Sequence, residues 1–318
     1  MYIYIDIINE FTCEMCGSCC RNDWQVTMDE ESYRRNYQLF LRNGKEEEFF
    51  NIFIPIIGKV ELGEYAYIRK KTEGGCWFLE ENHLCRLHQE AGHNHLDTVC
   101  QIFPRYPMNT SRGKELTLSF SCPAVVKIAS RVRPLEIIRS KVEPMLLHAN
   151  QEVAHVYPDQ QSSYHPLRYY FEIEHHIIDL LQYRKITIEE RIQLVKETIK
   201  KILHLPQNET FKQSFNTIIY DNYLYLDEKD DVIAAVSHCT PDILIENFLI
   251  NFVFKKPLYL YGLQSGLHLL DTMWRQIKSE RINDTNGSTE MERISTLIMN
   301  LEFHYSHNRS TLLTSILL

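Results

Sequence analysis

The segment of this chain with the most chemical content is Cys13-Glu14-Met15-Cys16-Gly17-Ser18-Cys19-Cys20. Thiols at C-x2-C-x2-C spacing fold into a tight loop that can direct several sulfurs at one centre, as soft metals and iron–sulfur clusters require. Because neighbouring side chains diverge, Cys19 and Cys20 are not expected to serve identically. The segment therefore predicts a metal site in which one of this pair ligates and the other packs or serves a second site.

More cysteines at wider spacing complete the candidate ligand set, of which a subset is expected to bind metal: Cys13, Cys16, Cys19, Cys20, Cys76, Cys85, Cys100 and Cys122. Only Cys239 lies outside the first 122 residues. Cys122 precedes Pro123, as the remote ligand of a ferredoxin-type run often precedes proline. These thiols can supply two four-ligand centres or one centre with spectators, and both arrangements stay open.

An iron–sulfur cluster of the [4Fe-4S] type and a zinc ion are the two alternatives for this site. Structural zinc sites usually consist of two separated C-x2-C pairs. Here the thiols are crowded into one loop and the remaining ones are widely spread, which favours a cluster. Histidines near the later cysteines can instead complete a zinc site: His83, His88, His93 and His95. The loop lacks the C-x3-C-x2-C spacing of radical enzymes, so radical chemistry is not supported.

Composition and the first residues indicate the class of protein. Residues 1–10 contain no basic segment followed by an apolar core and a cleavage site, so a cytoplasmic location is expected, where disulfides are rare. No segment reaches the roughly 18 apolar residues of a membrane span; the most apolar, Ile243–Phe254, is interrupted by Glu246. The net charge of −8 argues against a nucleic-acid partner.

Two compositional zones predict the organisation of the chain. Residues 1–122 hold most of the cysteines and only short periodic segments, such as a strand at Leu116–Phe120. Residues 123–318 have helical periodicity. We therefore expect a mostly α protein with a small α+β cysteine-rich N-terminal region built around a metal cluster, followed by a helical domain.

Three helix starts are marked in the second zone. Thr187 and Glu190 form a capping box, and Thr240-Pro241 supplies a cap and a first-turn proline. Ser288 precedes a further apolar periodicity, and the polar residues 283–288 before it are predicted to form a loop.

The cysteine pattern, taken with its flanking residues, resembles a cysteine-cluster family described as zinc- or iron-chelating. The matching motifs are C-x2-C-G-x-C-C, Cys76-Trp-Phe-Leu, His83-Leu-Cys85-Arg-Leu and Cys100-Gln-Ile-Phe-Pro104-Arg105. Two later segments resemble the flagellin lysine-N-methylase branch: Leu118-Ser-Phe-Ser-Cys122-Pro and Glu246-Asn-Phe-Leu-Ile-Asn-Phe-Val-Phe-Lys255. Where that branch continues with Phe-Pro, this chain has Lys256-Pro257.

The resemblance implies an enzyme that transfers a methyl group from S-adenosylmethionine to surface lysine amines of flagellin, and it implies a [4Fe-4S] cluster. Spacing and composition alone do not indicate methyl transfer, and the chain has no glycine-rich strand–loop–helix motif for the methyl donor. A non-catalytic zinc- or cluster-binding adaptor is the alternative. Electron transfer is a third reading, which the helical second half does not favour.

Methyl transfer to lysine sets requirements that a few residues near the cysteines can meet. The amine, protonated at its usual pKa, must lose a proton, for which Tyr106 and Asp23 are the candidate catalytic residues. Aromatic side chains attract cations, so Trp24 and Trp77 are candidates for the cofactor pocket, together with Phe78 and Tyr106. Arg105 is a candidate partner for the donor's carboxylate or for a structural acid.

Overall fold

The computed structural model describes residues 1–22, 24–58, 64–144, 152–229, 238–282 and 288–307. Its strands are β1 Tyr2–Ile5, β2 Thr27–Met28, β3 Phe53–Pro55, β4 Ala66–Ile68, β5 Arg105–Thr110, β6 Gly113–Leu118, β7 Ile137–Ser140 and β8 Ala154–Val156. Its α-helices are α1 Ser18–Arg21, α2 Glu30–Arg42, α3 Glu46–Ile52, α4 Arg86–Ala91, α5 Thr98–Ile102, α6 Pro123–Ala129, α7 Tyr170–Gln182, α8 Ile188–Leu203, α9 Phe211–Asp227, α10 Pro241–Phe254, α11 Pro257–Leu260, α12 Leu263–Ile282 and α13 Glu290–Glu302.

The strands form two sheets. The larger has the order β7-β1-β6-β5-β8, with β1 parallel to β6 and β5 antiparallel to β6. The predicted strand at Leu116–Phe120 overlaps β6, which starts at Gly113 and ends at Leu118. The smaller sheet has the order β2-β4-β3 and is antiparallel.

Two hydrophobic cores lie in the described part of the chain. One is built from side chains between Val26 and Leu96, around the smaller sheet. The other joins the larger sheet to the helices from α6 onward. The expectation of a mostly helical chain with fewer strands is confirmed, while the division at residue 122 and a cluster at the centre of the first region stay predictions.

Helix α10 lies at the centre of the second core. Every residue from Ile243 to Phe254 is buried, including its polar ones, as expected for a helix surrounded by other elements. It contacts α7 on one side and α13 on another, and the end of β6 packs against it. Among the described helices, none combines the length and the apolar content that crossing a membrane requires.

The helix starts are placed largely as predicted. Thr187 and Glu190 form both hydrogen bonds of a capping box, and the Thr240 side chain accepts from the amide of Ile243. At α13 the cap is Thr289, one residue after the predicted Ser288. The reason is that Thr289 has a glutamate, Glu292, three residues later to close the box. The predicted loop at 283–287 lies outside the described residues.

Candidate metal centre

The cysteine-rich loop depends on a glycine with a left-handed backbone. Gly17 has φ +68° and forms the N-cap of α1. A Cβ at this position would lie 2.8 Å from the carbonyl oxygen of His83. Any larger residue would clash with this carbonyl oxygen and would be strained in the left-handed conformation. Glycine therefore lets the loop pack directly against the segment that carries Cys85.

A second close approach joins this loop to Cys76. The backbone amide of Cys76 donates a 2.7 Å hydrogen bond to the carbonyl oxygen of Cys20. The preceding Gly75 has φ +82°, and a Cβ there would lie 3.3 Å from the same oxygen. Cys76 and Cys85 are each paired through a β-bridge, with Lys70 and Leu79 respectively. The backbone thus brings distant cysteines to one place.

Five thiols gather here, and we call them the five-thiol group: Cys19, Cys20, Cys76, Cys85 and Cys100. The sulfurs of Cys19 and Cys20 are 3.9 Å apart. Burial, and after it the proximity of Cys76, Cys19 and Cys85, raises the pKa of Cys100, and burial with the proximity of Cys19 raises the pKa of Cys85. The structure therefore places both members of the Cys19-Cys20 pair in the same group.

The remaining three candidates form the three-thiol group: Cys13, Cys16 and Cys122. Burial, and to a smaller extent the proximity of Cys16 and Cys13, raises the pKa of the Cys122 thiol. Cys122 is the N-cap of α6 and is buried, whereas Cys13 is exposed. The loop segment that precedes Gly17 therefore faces the end of β6.

The pKa values of the thiols indicate what a bound metal must supply. Burial raises the pKa of Cys76 and of Cys122 to about 11, and raises that of Cys100 well above its usual value. The hydrogen bond with Cys20 lowers the pKa of Cys19 to about 7, and raises that of Cys20. Buried thiolates need a compensating cation, so this soft, all-sulfur donor set fits a thiophilic metal centre.

The nine cysteines are all free thiols. In the ranges that the structure covers, no three His, Cys, Asp or Glu side chains converge closely enough to hold a single ion.

The histidines predicted as alternative zinc ligands have other contacts. The Nδ1 atom of His83 lies 3.0 Å from an Arg21 guanidinium nitrogen. The rings of His88 and His93 contact each other with centroids 5.9 Å apart. Burial and the charge of Arg35 lower the pKa of His95. None of these contacts places an imidazole beside a thiol.

The two candidate tryptophans differ in position. Trp24 borders a small cavity together with Cys20 and Cys76, and its ring contacts Phe103, with the centroids 5.0 Å apart. Trp77 is partly buried and packs on the core around the smaller sheet. Of these two tryptophans, only Trp24 lines a cavity that cysteines also line. Asp23 lies outside the described residues.

Arg105 and Tyr106 point to opposite faces of β5, as successive strand residues do. The Arg105 guanidinium lies over the Phe11 ring at 5.2 Å from its centroid, and burial lowers its pKa while the charge of Cys13 raises it. On the other face, the ammonium of Lys255 lies 4.6 Å from the centre of the Tyr106 ring. Arg105 thus adjoins the three-thiol group, and Tyr106 does not.

Tyr106 borders a small cleft. Its other lining residues are mainly aromatic and aliphatic, with two polar ones, Lys255 and Ser306: Phe252, Lys255, Pro257, Leu260, Tyr261, Leu269, Tyr305 and Ser306. At its base Lys255 pairs with the buried carboxylate of Glu302, which also accepts a hydrogen bond from Ser119. Burial raises the pKa of Tyr106. Sequence reasoning missed Glu302, since a lone glutamate at the end of an amphipathic helix carries no distinctive pattern.

The segment Glu246–Lys255 contributes buried structural contacts. Glu246 pairs with Arg184 at 2.7 Å and with Arg191 at 2.6 Å. Asn247 donates to the carbonyl of Ala129, and Asn251 donates to that of Leu118. These polar residues hold α10 to its neighbours.

At Lys256 the sequence departs from the Phe-Pro of the lysine-N-methylase branch, and the structure shows the surroundings of this residue. Its ammonium is fully buried and lies 2.8 Å from Glu115 and 2.7 Å from Glu174. Arg112 pairs with the same two glutamates. Two cations thus balance two carboxylates at the end of α10, which explains why a lysine is accommodated in the core.

Comparison with known proteins gives a family for the cysteine-rich part. Residues 12–123 match the family model CxxCxxCC, described as a putative zinc- or iron-chelating domain. The lysine-N-methylases of Salmonella typhimurium LT2 and Salmonella choleraesuis are each 24% identical to this chain over 162 residues, which are 48% of this chain and 38% of theirs. The flagellar biosynthetic protein FliU of Salmonella muenchen is 25% identical over 123 residues, 37% of this chain and 70% of its own length.

The aligned region thus spans less than half the length of the lysine-N-methylases, and no solved structure matches the chain. The cysteine motifs predicted from the sequence all lie within the residues that match the family model. The predicted resemblance is confirmed to this extent: residues 12–123 match the zinc- or iron-chelating family model, and about half of the chain is similar to the lysine-N-methylases.

Proposed function

We propose that this protein is an S-adenosylmethionine-dependent protein-lysine N-methyltransferase that acts on surface lysines of flagellin in the cytoplasm. The observation that carries the proposal is the similarity to lysine-N-methylases over about half of the chain. The similarity to a protein named for flagellar biosynthesis supports flagellin as the substrate. The net charge of −8 is also suited to a lysine-rich protein surface rather than to nucleic acid.

The metal in this proposal has a structural role. The thiols that would hold it come from segments far apart in the sequence, and the core around the smaller sheet that adjoins them is small. Metal bound by such a set contributes directly to folding. Transfer of a methyl group to an amine needs no electron, so the proposed [4Fe-4S] cluster need only hold the fold, with zinc as the alternative metal.

The five-thiol group can hold the proposed cluster, with zinc as the alternative metal. Four thiolates suffice for a [4Fe-4S] cluster, and the Cys19-Cys20 pair supplies one more than is needed. Trp24 and the cavity beside Cys20 place an aromatic face next to this group. Either member of the pair can serve as ligand while the other packs against it.

The chemistry places demands on the protein that the Tyr106 cleft can meet. A new bond forms between the lysine nitrogen and the methyl carbon as the bond from that carbon to the donor sulfur breaks, which leaves a neutral thioether, and the nitrogen loses its proton to water. The aromatic walls would accommodate the methylenes of a lysine side chain. Desolvation in the cleft would lower the pKa of an incoming amine, which favours its neutral, nucleophilic form.

Methylation of purified flagellin with isotope-labelled S-adenosylmethionine tests this function. Protein prepared without oxygen should transfer label to lysines, as mass spectrometry of flagellin peptides would show. Calorimetry of the same preparation should detect binding of the methyl donor. Folded, metal-loaded protein that binds no donor would contradict the proposal.

A non-catalytic metal-binding adaptor is the alternative function. It is favoured by the fact that the family model covers only residues 12–123 and names metal chelation alone. An adaptor would bind metal tightly and bind flagellin without consuming S-adenosylmethionine. The same calorimetry therefore separates the two functions.

A further inference from the structure

Helix α9 carries large apolar side chains on its outer side as well as on its inner one. The residues that it packs into the core include Phe211, Phe215, Ile218 and Leu226. On the outer side, Tyr220 is 62% exposed, and Tyr223 and Leu224 are also exposed. These three are neighbours on the helix surface, because residues three and four apart adjoin. A surface helix normally has a polar outer side, so a further surface is expected to cover this one.

We call Tyr220, Tyr223 and Leu224 the α9 face, and part of it is held in place. The phenol of Tyr223 donates a 2.6 Å hydrogen bond to Asp179 of α7. The same ring meets the buried His176 edge-on, with the centroids 5.0 Å apart. Because Tyr223 is already ordered, a contact with it costs a partner little side-chain entropy.

Carboxylates border the α9 face. Asp227 lies four residues after Tyr223 and therefore adjoins it. Asp221 and Glu228 lie three residues before and four residues after Leu224. All three acidic side chains are exposed. Within the described ranges Asp221 and Asp227 take part in no ion pair, so both charges remain for a partner.

Two basic residues nearby reduce this negative charge only in part. The ammonium of Lys229 lies over the ring of Tyr225, 4.2 Å from its centre. Tyr225 follows Tyr220 by five residues and so lies toward another side of the helix. His175 lies 3.9 Å from Asp179 and is charged only when it is protonated. The α9 face therefore has an acidic border.

We propose that the α9 face docks a lysine-bearing surface of the protein substrate. Its rings and the Leu224 side chain would cover apolar groups of the partner, and its bordering carboxylates would pair with lysine ammoniums. Tyrosine rings also attract ammonium groups. The identity of the partner as flagellin rests on the proposed function. Because no residue of α9 lines the Tyr106 cleft, the α9 face would contribute to binding of the substrate and not to the chemical step.

The acidic border decides between this partner and others that could cover an apolar surface. A symmetric dimer through α9 would bring the same carboxylates of two copies together, and like charges across an interface are unfavourable. The same charges would repel the phosphates of nucleic acids and of anionic lipids. A protein surface with ammonium groups is the occupant that fits both the apolar and the charged parts.

Calorimetry of monomeric flagellin with full-length, metal-loaded protein, in the absence of methyl donor, tests the α9 face. Wild-type protein should bind flagellin with an affinity that falls as the salt concentration rises. Tyr220→Ser should weaken binding about 10-fold. Asp221→Lys should weaken binding and also reduce its dependence on salt. Because both side chains are exposed, both variants should unfold at the same urea concentration as wild type.

Tyr164→Ser and Glu47→Lys are the matched controls, because both side chains are exposed and lie outside α9. Neither should change the affinity for flagellin. The proposal is overturned if wild-type protein binds no flagellin, or if Tyr220→Ser binds it as tightly as Tyr164→Ser does.

Two further measurements identify another occupant. A lower urea midpoint in Tyr220→Ser would mean that the chain itself covers the α9 face. A dimer that sedimentation shows in wild type and not in Tyr220→Ser would mean that a second copy covers it. Either result overturns the proposal. Since no donor is present, binding that depends on Tyr220 stands even if no methyl group is transferred, and methylation that is unchanged in Tyr220→Ser rejects the docking surface alone.

Discussion

The amide of Cys76 donates a 2.7 Å hydrogen bond to the carbonyl of Cys20, so two thiols from distant segments are joined by their backbones. The bond does not depend on a metal ligand. It forms because Gly75, in a left-handed conformation, lets the backbone approach closely. The backbone of the cysteine-rich region therefore holds Cys20 and Cys76 next to each other.

Gly17→Ala should lower both stability and metal content. The left-handed backbone alone costs alanine about 1–2 kcal/mol, and the 2.8 Å approach of the new Cβ to the His83 carbonyl adds to this cost. Gly44→Ala is the matched control, since Gly44 has φ +66° with no neighbour within 4 Å. Urea unfolding and iron analysis would check the prediction, and equal losses in the two variants would contradict it.

Lys256→Met should destabilise the protein by about 3–5 kcal/mol, because it leaves the buried carboxylates of Glu115 and Glu174 one cation short. Arg112 alone then faces both glutamates. The midpoint of urea unfolding measures the effect. The control Lys278→Met removes an exposed pair with Glu189 and should cost less than about 1 kcal/mol.

His176 should make stability depend on pH between about 4 and 6.5. Burial lowers the pKa of His176 to about 4, and Asn222 donates to its Nε2 atom, which fits a neutral ring. The unfolded chain binds the proton more readily, so stability is complete above pH 6.5 and falls as pH drops, by up to about 3 kcal/mol.

Comparison of unfolding free energies at pH 5 and pH 7 checks this dependence. In His176→Gln the difference between the two values should shrink, whereas the exposed neighbour His175→Gln should leave it unchanged. An undiminished pH difference in His176→Gln would show that another group is responsible.

Thr289→Ala should cost about 1 kcal/mol, because its side chain caps α13 and accepts from the amide of Glu292. Ser288→Ala should be near neutral. Thermal unfolding of the two variants separates the observed cap from the residue that the sequence pattern indicated. A larger loss in Ser288→Ala would mean that the helix begins differently.

How far the sequence predicts this structure depends on the range of the interactions. The capping box at Thr187 and the cap at Thr240 were predictable, since each involves residues within one turn. The cysteine motif likewise predicted the match to a metal-chelating family model, because its cysteines lie close together in the sequence. The close approach of Gly17 to the His83 carbonyl was not predictable, since it joins segments far apart in the sequence.

The cleft at Tyr106 shows the same limit. Tyr106 was a candidate from the sequence, but its partners Lys255 and Glu302 come from two helices far along the chain. Likewise the buried network around Lys256 takes charges from β6 and α7. No periodicity relates such residues, because the tertiary packing of α10 brings them together.

The central claim is that this metal-bearing chain methylates lysine. The most direct measurement is transfer of labelled methyl groups from S-adenosylmethionine to purified flagellin by anaerobically prepared protein. The account predicts label on lysine side chains, with iron and sulfide retained throughout the reaction. Unlabelled flagellin, after incubation with protein that is folded and fully loaded with metal, would contradict it.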